Sequence, residues 1–291
     1  GAVVRRPFAG NMMQPAFSPG SLSRLENVLQ EIVSSSGCRV GLCAEGLEGP
    51  PAGVGFGFRE DEAFPSASLI KVLVLAELLR QADSGRLSLE DEILVENDDL
   101  IDGSGMLEAE RLPARFSCRD LAGAMIRISD NAATNLLIRR VGMEHVNTLA
   151  RDLGLRRTAL RRGMMDFGAR LRGENTTSAS DMVALMREIW AGSALTGGSR
   201  GFAFELLLDQ RLTSKMIVPL PTGAHYAHKT GELDGVENNA GIVLLPGRSF
   251  ALAVLVEGDV GRAGAPVSEA LRILCGSGRG VDVWASRRPH V

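Results

Sequence analysis

Short apolar stretches at both ends of the chain predict β-strands, because each is bounded by turn residues such as Gly, Pro and Asp. They cover residues 39–47, 52–58, 226–233, 236–245 and 250–257. A helix precedes the first of them, with Leu22, Leu25, Leu29 and Ile32 on one apolar stripe and Gly37 at its end. The pattern therefore predicts one sheet that draws its strands from both ends of the chain.

The middle of the chain has apolar residues spaced three and four apart, which is typical of amphipathic helices. The predicted helices span residues 69–82, 119–128, 132–141, 144–153, 181–190 and 202–212, and another follows at 266–274. This order indicates an α+β fold in which an antiparallel sheet flanked by helices joins an all-helical domain. We expect a discontinuous α/β sandwich domain from residues 21–62 and 200–280, a helical domain from 63–199, an arm at 1–20, and a catalytic cleft between the two domains.

Composition narrows the classes of function. The 291 residues carry a formal net charge of −3 and only 4% aromatic residues, so a nucleic-acid-binding surface is not expected. No uncharged apolar run approaches the ~18–20 residues that span a bilayer. The four cysteines form no C-x-x-C motif and have no His at metal-ligand spacing. We therefore expect free thiols, no metal, no cofactor, and a monomer that acts on a small molecule.

Residues 64–75 combine a helix start with two reactive side chains. Ser68 and Lys71 are three residues apart, so on a helix their Cβ atoms share a face at about 5–6 Å. An amine at that distance can take the proton of the hydroxyl, which makes Ser68 a candidate nucleophile and Lys71 its base. Pro65 and Ser66 favour a helix start, where unpaired N–H groups stabilise a developing oxyanion.

The scarcity of lysine supports this assignment. Of the 32 basic residues, 29 are Arg and three are Lys, namely Lys71, Lys215 and Lys229. A buried ammonium can lose its proton, whereas a guanidinium cannot. Lys229 lies in the motif K-T-G on a predicted strand, while Lys215 has no such setting and is interpreted as a surface charge.

A third motif, S-D-N at residues 129–131, lies at the junction of two predicted helices. Alone it is typical of helix capping, because Ser, Asp and Asn are preferred N-caps. In the order S-x-x-K, S-D-N and K-T-G, however, the three motifs form a constellation that indicates acyl transfer on a serine.

With these motifs the sequence resembles the penicillin-recognising serine hydrolases, most closely the class A β-lactamases, over roughly residues 20–280. The resemblance implies opening of a β-lactam ring through an acyl-enzyme, and it implies export of the protein. It assigns Ser68 as the nucleophile, Lys71 as its base, and Ser129 as the proton donor to the departing nitrogen. Lys229 and Thr230 would bind the substrate carboxylate, Asn131 would bind the substrate amide, and Gly231 is a further substrate-binding residue. The backbone N–H groups of Ser68 and Glu232 would hold the oxyanion.

The loop at residues 155–177 departs from the class A pattern. Class A enzymes carry a loop Glu, followed four residues later by Asn, and that Glu activates the water that releases the acyl group. No such pair occurs here: counting forward from S-D-N leads to Met165, beside Asp166, and counting back from the loop's end leads to Arg162. Asp166 is a candidate catalytic acid, with a salt bridge to a loop arginine as the alternative for it or for Glu174. Slow deacylation is expected.

Three alternatives stay open. Residues 197–201 fit the G-x-S-x-G pattern of α/β-hydrolases, although no buried strand precedes them. The Ser-Lys site would also serve a D-alanyl-D-alanine peptidase acting on acyl-D-Ala compounds, or an esterase, and the missing Glu favours both. A β-lactam-binding protein with little turnover would act as a sensor, but such sensors need a membrane segment, for which the sequence has no apolar run.

Overall fold

The structure, a computed structural model, describes residues 18–49, 52–107, 112–166, 168, 173–212 and 218–275. Its helices are α1 (Pro19–Ser36), α2 (Ile70–Asp83), α3 (Cys118–Arg127), α4 (Asn131–Val141), α5 (Met143–Asp152), α6 (Ala179–Ala191), α7 (Gly197–Leu208) and α8 (Val260–Cys275). Its strands are β1 (Arg39–Glu48), β2 (Gly55–Phe58), β3 (Phe64–Pro65), β4 (Glu92–Val95), β5 (Ala114–Ser117), β6 (Thr176–Thr177), β7 (His225–Leu233), β8 (Val236–Leu245) and β9 (Arg248–Glu257). Lys215 and residues 1–17 of the predicted arm lie outside the described residues.

The main sheet joins the two ends of the chain. Its order is β2-β1-β9-β8-β7, and every neighbouring pair is antiparallel. The N-terminal strand β1 pairs with the C-terminal strand β9, with Val40 opposite Val256. The prediction of an α+β fold with an antiparallel sheet built from both ends of the chain is confirmed. The strand order places β7 at an edge of the sheet.

Helices cover both faces of this sheet and create two hydrophobic cores. On one face, α1 and α8 pack against residues such as Val40, Leu42 and Phe250. On the other face, the central helices pack against a layer in which Ala227, Ala240 and other small side chains recur. Small side chains let the helical block approach the sheet closely, so the short 3₁₀ helix Ala67–Leu69, which leads into α2, lies against β7 and β8.

The sequence predicted an all-helical middle block, but the block is not entirely helical. It also contains two short antiparallel pairs, β3 with β6 and β4 with β5. Strands of two and four residues carry too little periodicity to be seen in a sequence. The pairing of Phe64 with Thr177 has a functional consequence, because it fastens the end of the loop at 155–177 beside the stretch that leads to Ser68.

Two element boundaries correct the predictions. Helix α1 begins at Pro19, with the Ser18 hydroxyl accepting from the N–H of Ser21 at 3.2 Å, so the last residues of the predicted arm are helical. Helix α7 begins at Gly197, and Thr196 caps it. The G-x-S-x-G stretch is thus the first turn of a capped helix, and Ser199 Oγ donates to Asp83 at 2.7 Å. It does not form the strand-to-helix elbow of an α/β-hydrolase.

The described ranges contain no helix that is both long and apolar enough to cross a bilayer.

The start of the loop at 155–177 is anchored by a buried carboxylate of α6. Asp181 accepts from the backbone N–H groups of Arg156 at 3.1 Å and Arg157 at 2.7 Å, and from Thr158 Oγ1 at 2.8 Å. Hydrogen bonds to an ionised group are the stronger kind, and a buried donor left without its acceptor is costly.

We expect Asp181→Asn to destabilise the protein by about 1–3 kcal/mol, because the amide offers one acceptor oxygen where the carboxylate offers two. Urea unfolding measures the effect. The control is Asp234→Asn in the exposed β7–β8 turn, which should change the free energy of unfolding by less than about 0.5 kcal/mol. Equal stability of the two variants would contradict the anchoring role.

Candidate active site

The predicted nucleophile lies in a short 3₁₀ helix, Ala67–Leu69, that runs directly into α2. Ser68 is therefore in the first turn, where the sequence predicted it. Ala67, just before it, has a φ of 46°, in the left-handed region that a residue with a Cβ rarely adopts. Such a conformation persists only where the surroundings hold it. Residues 65–68, the nucleophile turn, are thus strained and depend on support from neighbouring elements.

Lys71 is buried in α2, and its amine points to the S-D-N motif. Its Nζ donates to Ser129 O at 2.6 Å, to Ser129 Oγ at 3.0 Å and to Asn131 Oδ1 at 2.7 Å. Among the described residues, none of its hydrogen bonds goes to Ser68 Oγ. The S-x-x-K and S-D-N motifs are brought together as predicted, and Ser129 Oγ is a partner of the candidate base.

A second buried amine, that of Lys229 on β7, reaches the same hydroxyl. It donates to Ser129 Oγ at 3.0 Å and to Thr230 O at 2.9 Å. Burial lowers the pKa of Lys71 well below its ordinary value, and the charge of Lys229 lowers it further. Burial also lowers the pKa of Lys229 to about 7, although Glu232 acts in the opposite direction. An amine with a lowered pKa can be neutral near pH 7, and a neutral amine can accept a proton.

Ser129 is placed by a sharp break between α3 and α4, where its φ of 58° is left-handed. Asp130 caps α4, accepting from the N–H of Ala133 at 2.8 Å, and it also accepts from the N–H of Met106 at 3.2 Å. The capping interpretation of S-D-N is therefore correct for Asp130. Ser129 accepts hydrogen bonds from both amines, and Asn131 accepts one from Lys71 and lines the cleft, so one motif serves both structure and chemistry.

Asn131 opens α4 and is held by the loop at Asp102 and Gly103. Its Nδ2 donates to Asp102 O at 2.8 Å, and its N–H donates to Gly103 O at 2.9 Å. A Cβ on Gly103, whose φ is 79°, would come within 2.6 Å of Asn131 Nδ2. The approach of this loop fixes the orientation of the predicted amide-binding side chain.

The K-T-G motif lies on β7 directly beside the nucleophile turn. Lys229 and Thr230 are buried, whereas Glu232 is exposed. A Cβ on Gly231 would lie 3.1 Å from both Ser66 O and Ser68 N. The glycine is thus a requirement of close packing, because any side chain there would push against the turn. This packing brings the predicted oxyanion groups, the N–H of Ser68 and that of Glu232, to one side of the cleft.

These elements surround a cleft of about 480 Å³ that is partly open to solvent. Its lining residues are Ala67, Ser68, Asn131, Arg162, Met164, Met165, Glu174, Asn175, Glu232 and Leu233. Within the described part of the chain, no group of three or more His, Cys, Asp or Glu side chains could hold a metal ion.

One wall of the cleft comes from the rebuilt loop and contains an ion pair. Arg162 is buried and donates to Glu174 from Nε to Oε1 at 2.7 Å and from Nη2 to Oε2 at 2.9 Å. Asn175 Oδ1 accepts from the N–H groups of Arg161 at 2.7 Å and Arg162 at 3.0 Å, and Nδ2 donates to Arg162 O at 3.1 Å. These contacts tie residues 161–162 to residues 174–175, and these two segments form the neck of the loop.

Asn135 of α4 fixes the middle of the same loop. Its Oδ1 accepts from the N–H of Met164 at 2.7 Å, and its Nδ2 donates to Met164 O at 3.1 Å. Asn135 thus holds the backbone of Met164, whose side chain lines the cleft beside that of Met165, the residue reached by forward counting. An apolar side chain occupies this position, and Met165, with a φ of 58°, turns the backbone away after it.

The predicted catalytic role of Asp166 has no geometric support. Its side chain is exposed and is not among the residues that line the cleft. The acid of the loop that lines the cleft with Ser68 is Glu174, and both of its oxygens bind Arg162. A base must come within hydrogen-bond reach of the water that it activates, and the turn at Met165 carries Asp166 past that position.

Sequence reasoning missed Asn238, a buried residue in the middle of β8. Its Nδ2 donates to Pro65 O at 2.8 Å and to Ser66 O at 3.3 Å, so it binds the nucleophile turn from the sheet side. A signal was present: Glu237-Asn238-Asn239 is a polar run inside an otherwise apolar strand. Buried polar side chains are nearly always hydrogen-bonded, so such a run indicates a specific partner.

We expect Lys71→Arg to slow acylation nearly as much as Lys71→Ala, by roughly 10²–10⁴-fold, because a guanidinium stays protonated. Lys229→Arg, at an equally buried amine, is the matched steric control and should be milder. The neutral amine of Lys71 is the active form, so wild-type acylation should fall as the pH drops through its lowered pKa. Stopped-flow acylation rates against pH measure this. Wild-type rates in Lys71→Arg would show that Lys71 only anchors charge.

Known proteins share this fold and sequence pattern. A model of the Beta-lactamase enzyme family matches residues 24–273. Among solved structures, a leucine-to-glutamate mutant of PBP-A, in its acyl-enzyme complex with penicillin G, is 27% identical with a TM-score of 0.79, covering 90% of this chain and 97% of that chain.

Two β-lactamases are similarly close. That of Xanthomonas campestris is 28% identical with a TM-score of 0.78, covering 87% of this chain and 98% of its own. That of Sphaerobacter thermophilus is 28% identical with a TM-score of 0.76, covering 84% of this chain and 94% of its own. The family match spans most of the sequence and agrees with the arrangement of the three motifs, so the chain belongs to the β-lactamase enzyme family as a class A β-lactamase-like serine hydrolase.

Proposed function

We propose that this protein opens β-lactam rings through an acyl-enzyme on Ser68 and releases the acyl group slowly. Family membership makes it a hydrolase that acts on β-lactams. One observation carries the finer proposal: two buried amines meet at Ser129 Oγ beside the cleft that contains Ser68. Export and a monomeric state, which we expected from the sequence, stay predictions.

Acylation then proceeds in two steps. The oxygen of Ser68 attacks the lactam carbonyl carbon while the neutral amine of Lys71 takes its proton, and the N–H groups of Ser68 and Glu232 hold the oxyanion. When the tetrahedral intermediate collapses, the carbon–nitrogen bond breaks and Ser129 Oγ gives its proton to the departing nitrogen. Lys71, hydrogen-bonded to Ser129 Oγ at 3.0 Å, returns the proton to the hydroxyl.

The other motif residues bind the substrate. Lys229 and Thr230 would hold its carboxylate, and an anion near the Lys229 amine raises the pKa of that amine and favours its charged form. Asn131 lies on the cleft wall opposite β7, where its Nδ2 retains one hydrogen for the substrate amide after binding Asp102 O.

Slow deacylation is supported by the loop wall. The resemblance to class A enzymes implies a water-activating Glu in this loop, and Asn135 holds the apolar Met164 at the wall instead. Both oxygens of Glu174 accept hydrogen bonds from Arg162, so this carboxylate is already engaged in an ion pair. The role that we proposed for Asp166 would require the loop to move inward.

A second candidate function is favoured by the same Met164. A D-alanyl-D-alanine peptidase or an esterase would use the Ser68 site without that Glu, and PBP-A is among the similar structures. Turnover of a chromogenic cephalosporin, compared with that of an acyl-D-Ala-D-Ala peptide and a short-chain ester, separates these functions. Peptide or ester turnover well above cephalosporin turnover would replace the first proposal with the second.

We expect penicillin to form a covalent adduct on the peptide that contains Ser68, because this hydroxyl lies in the cleft with the oxyanion groups. Mass spectrometry of the digested protein detects it, and Ser68→Ala should abolish it. Ser199→Ala, in the first turn of α7, should leave the adduct unchanged. An adduct on Ser199 would refute the assignment of the nucleophile.

We expect a burst of product equal to the enzyme concentration, followed by slow turnover. Met164→Glu should accelerate the slow phase by about 10²-fold or more, because it places a carboxylate at the position that Asn135 holds. Stopped-flow and steady-state assays with a chromogenic cephalosporin measure both phases.

The control is Met164→Gln, which is polar but supplies no base and should leave the slow phase unchanged. Asp166→Asn tests the role proposed for Asp166: equal steady-state rates in this variant and the wild type would remove Asp166 from the mechanism. Fast wild-type turnover without a burst would show that deacylation does not limit the rate.

A further inference from the structure

The nucleophile turn is held from two sides. On the loop side, the N–H of Ser66 donates to Asn175 O at 2.8 Å. On the sheet side, Asn238 Nδ2 donates to Pro65 O and Ser66 O. These contacts hold the two residues before Ala67, whose left-handed φ of 46° has to be stabilised by its surroundings.

The orientation of the Asn238 amide follows from chemistry. The two backbone oxygens that face it can only accept hydrogen bonds, so only the NH₂ end of the amide can satisfy them. Its Oδ1 is consequently buried and makes no hydrogen bond to any part of the chain that the structure describes. A leucine of similar volume would fill the site without burying an unpaired amide oxygen, but it would offer no donor to Pro65 O and Ser66 O, so filling space does not account for the amide.

The position of Asn238 in the sheet connects it to the reacting atoms. In the β7–β8 register it lies directly opposite Gly231. A Cβ on that glycine would come within 3.1 Å of Ser68 N, so this pair of residues faces the segment that carries the predicted oxyanion donor. A shift of the turn would therefore move the nucleophilic oxygen and the oxyanion N–H together.

We propose that Asn238 is a positioning residue for acylation: its amide, which links β8 to the turn, keeps the strained segment at 65–68 in register with the neighbouring K-T-G strand. The proposal rests on Ser68 being the nucleophile. Within the described ranges, the side-chain hydrogen bonds of Asn238 go only to the backbone of the turn, so its effect should appear in the rate of acylation and not in the binding of substrate.

The test is Asn238→Leu, which keeps the volume and removes the donor. We expect the acylation rate constant to fall by about 10²-fold, as an ångström-scale misplacement of a reacting group does, with the dissociation constant of the initial complex unchanged. Stopped-flow kinetics across a range of penicillin concentrations yield both constants. The burst amplitude reports the fraction of folded, active enzyme, so a loss of fold and a loss of positioning are measured separately.

Asn239→Ala is the matched control, because Asn239 is also a buried amide of β8 but binds the hydroxyl of Tyr226 at 3.0 Å. It should lower thermal stability and keep the wild-type acylation constant. If Asn238→Leu gives no folded protein, Asn238→Ser is tested in its place. We expect the Asn238→Ser variant to acylate at least tenfold more slowly than the wild type.

A wild-type acylation constant in a folded Asn238 variant would overturn the positioning role, as would an equal loss in Asn239→Ala. If the wild type itself forms no adduct on Ser68, the proposed function fails. These two failures are distinct, because only the second is seen in the unmutated protein.

Discussion

The meeting of two buried amines at one serine hydroxyl is the interaction on which the rest of this structure depends. Removing an ammonium group from water is expensive, and two of them close together repel each other. The protein meets this cost with hydrogen bonds from Lys71 and Lys229 to backbone carbonyls and to Ser129 Oγ, and with lowered pKa values. An amine must be neutral to accept a proton from a serine, and burial favours the neutral form. The same burial that is costly for a charged amine therefore suits it to act as a base.

This arrangement joins the helical block to the sheet. Lys71 comes from α2, Ser129 from the α3–α4 junction, and Lys229 from the edge strand β7. The two layers approach closely because Gly231 has no side chain and the sheet face carries many alanines. Backbone strain concentrates at the same place: Ala67, Ser129 and Met165 all have positive φ, and all three lie in or beside the cleft. Strained residues are held there by the packing around them.

The loop at 155–177 is firmly anchored, but it lacks the Glu and Asn pair that the resemblance to class A enzymes implies. Asp181 binds its first residues, Asn175 closes its neck, and Asn135 fixes its middle. What it offers to the cleft, however, is a methionine and an arginine–glutamate pair. A scaffold that positions the loop firmly, with a methionine and an ion-paired glutamate at the cleft, supports the proposal that the acyl-enzyme forms faster than it is released.

The sequence by itself determined the fold class, the discontinuous order of elements and the three motifs. These depend on local periodicity and short spacings, which survive without knowledge of distant contacts. It also identified Ser68 and Lys71, because three residues along a helix fix a face and a distance.

Only the tertiary structure decided which loop residue Asn135 fixes, that Asp166 lies outside the cleft lining, and that Asn238 binds the nucleophile turn. Counting through the loop led to Met165 or Arg162, because a rebuilt loop has no fixed spacing, whereas Asn135 selects Met164 through space. Asn238 is more than 170 residues from the turn that it holds. Contacts of that kind form only when the two ends of the chain meet in the sheet, and the local polar run at 237–239 indicates a partner without identifying it.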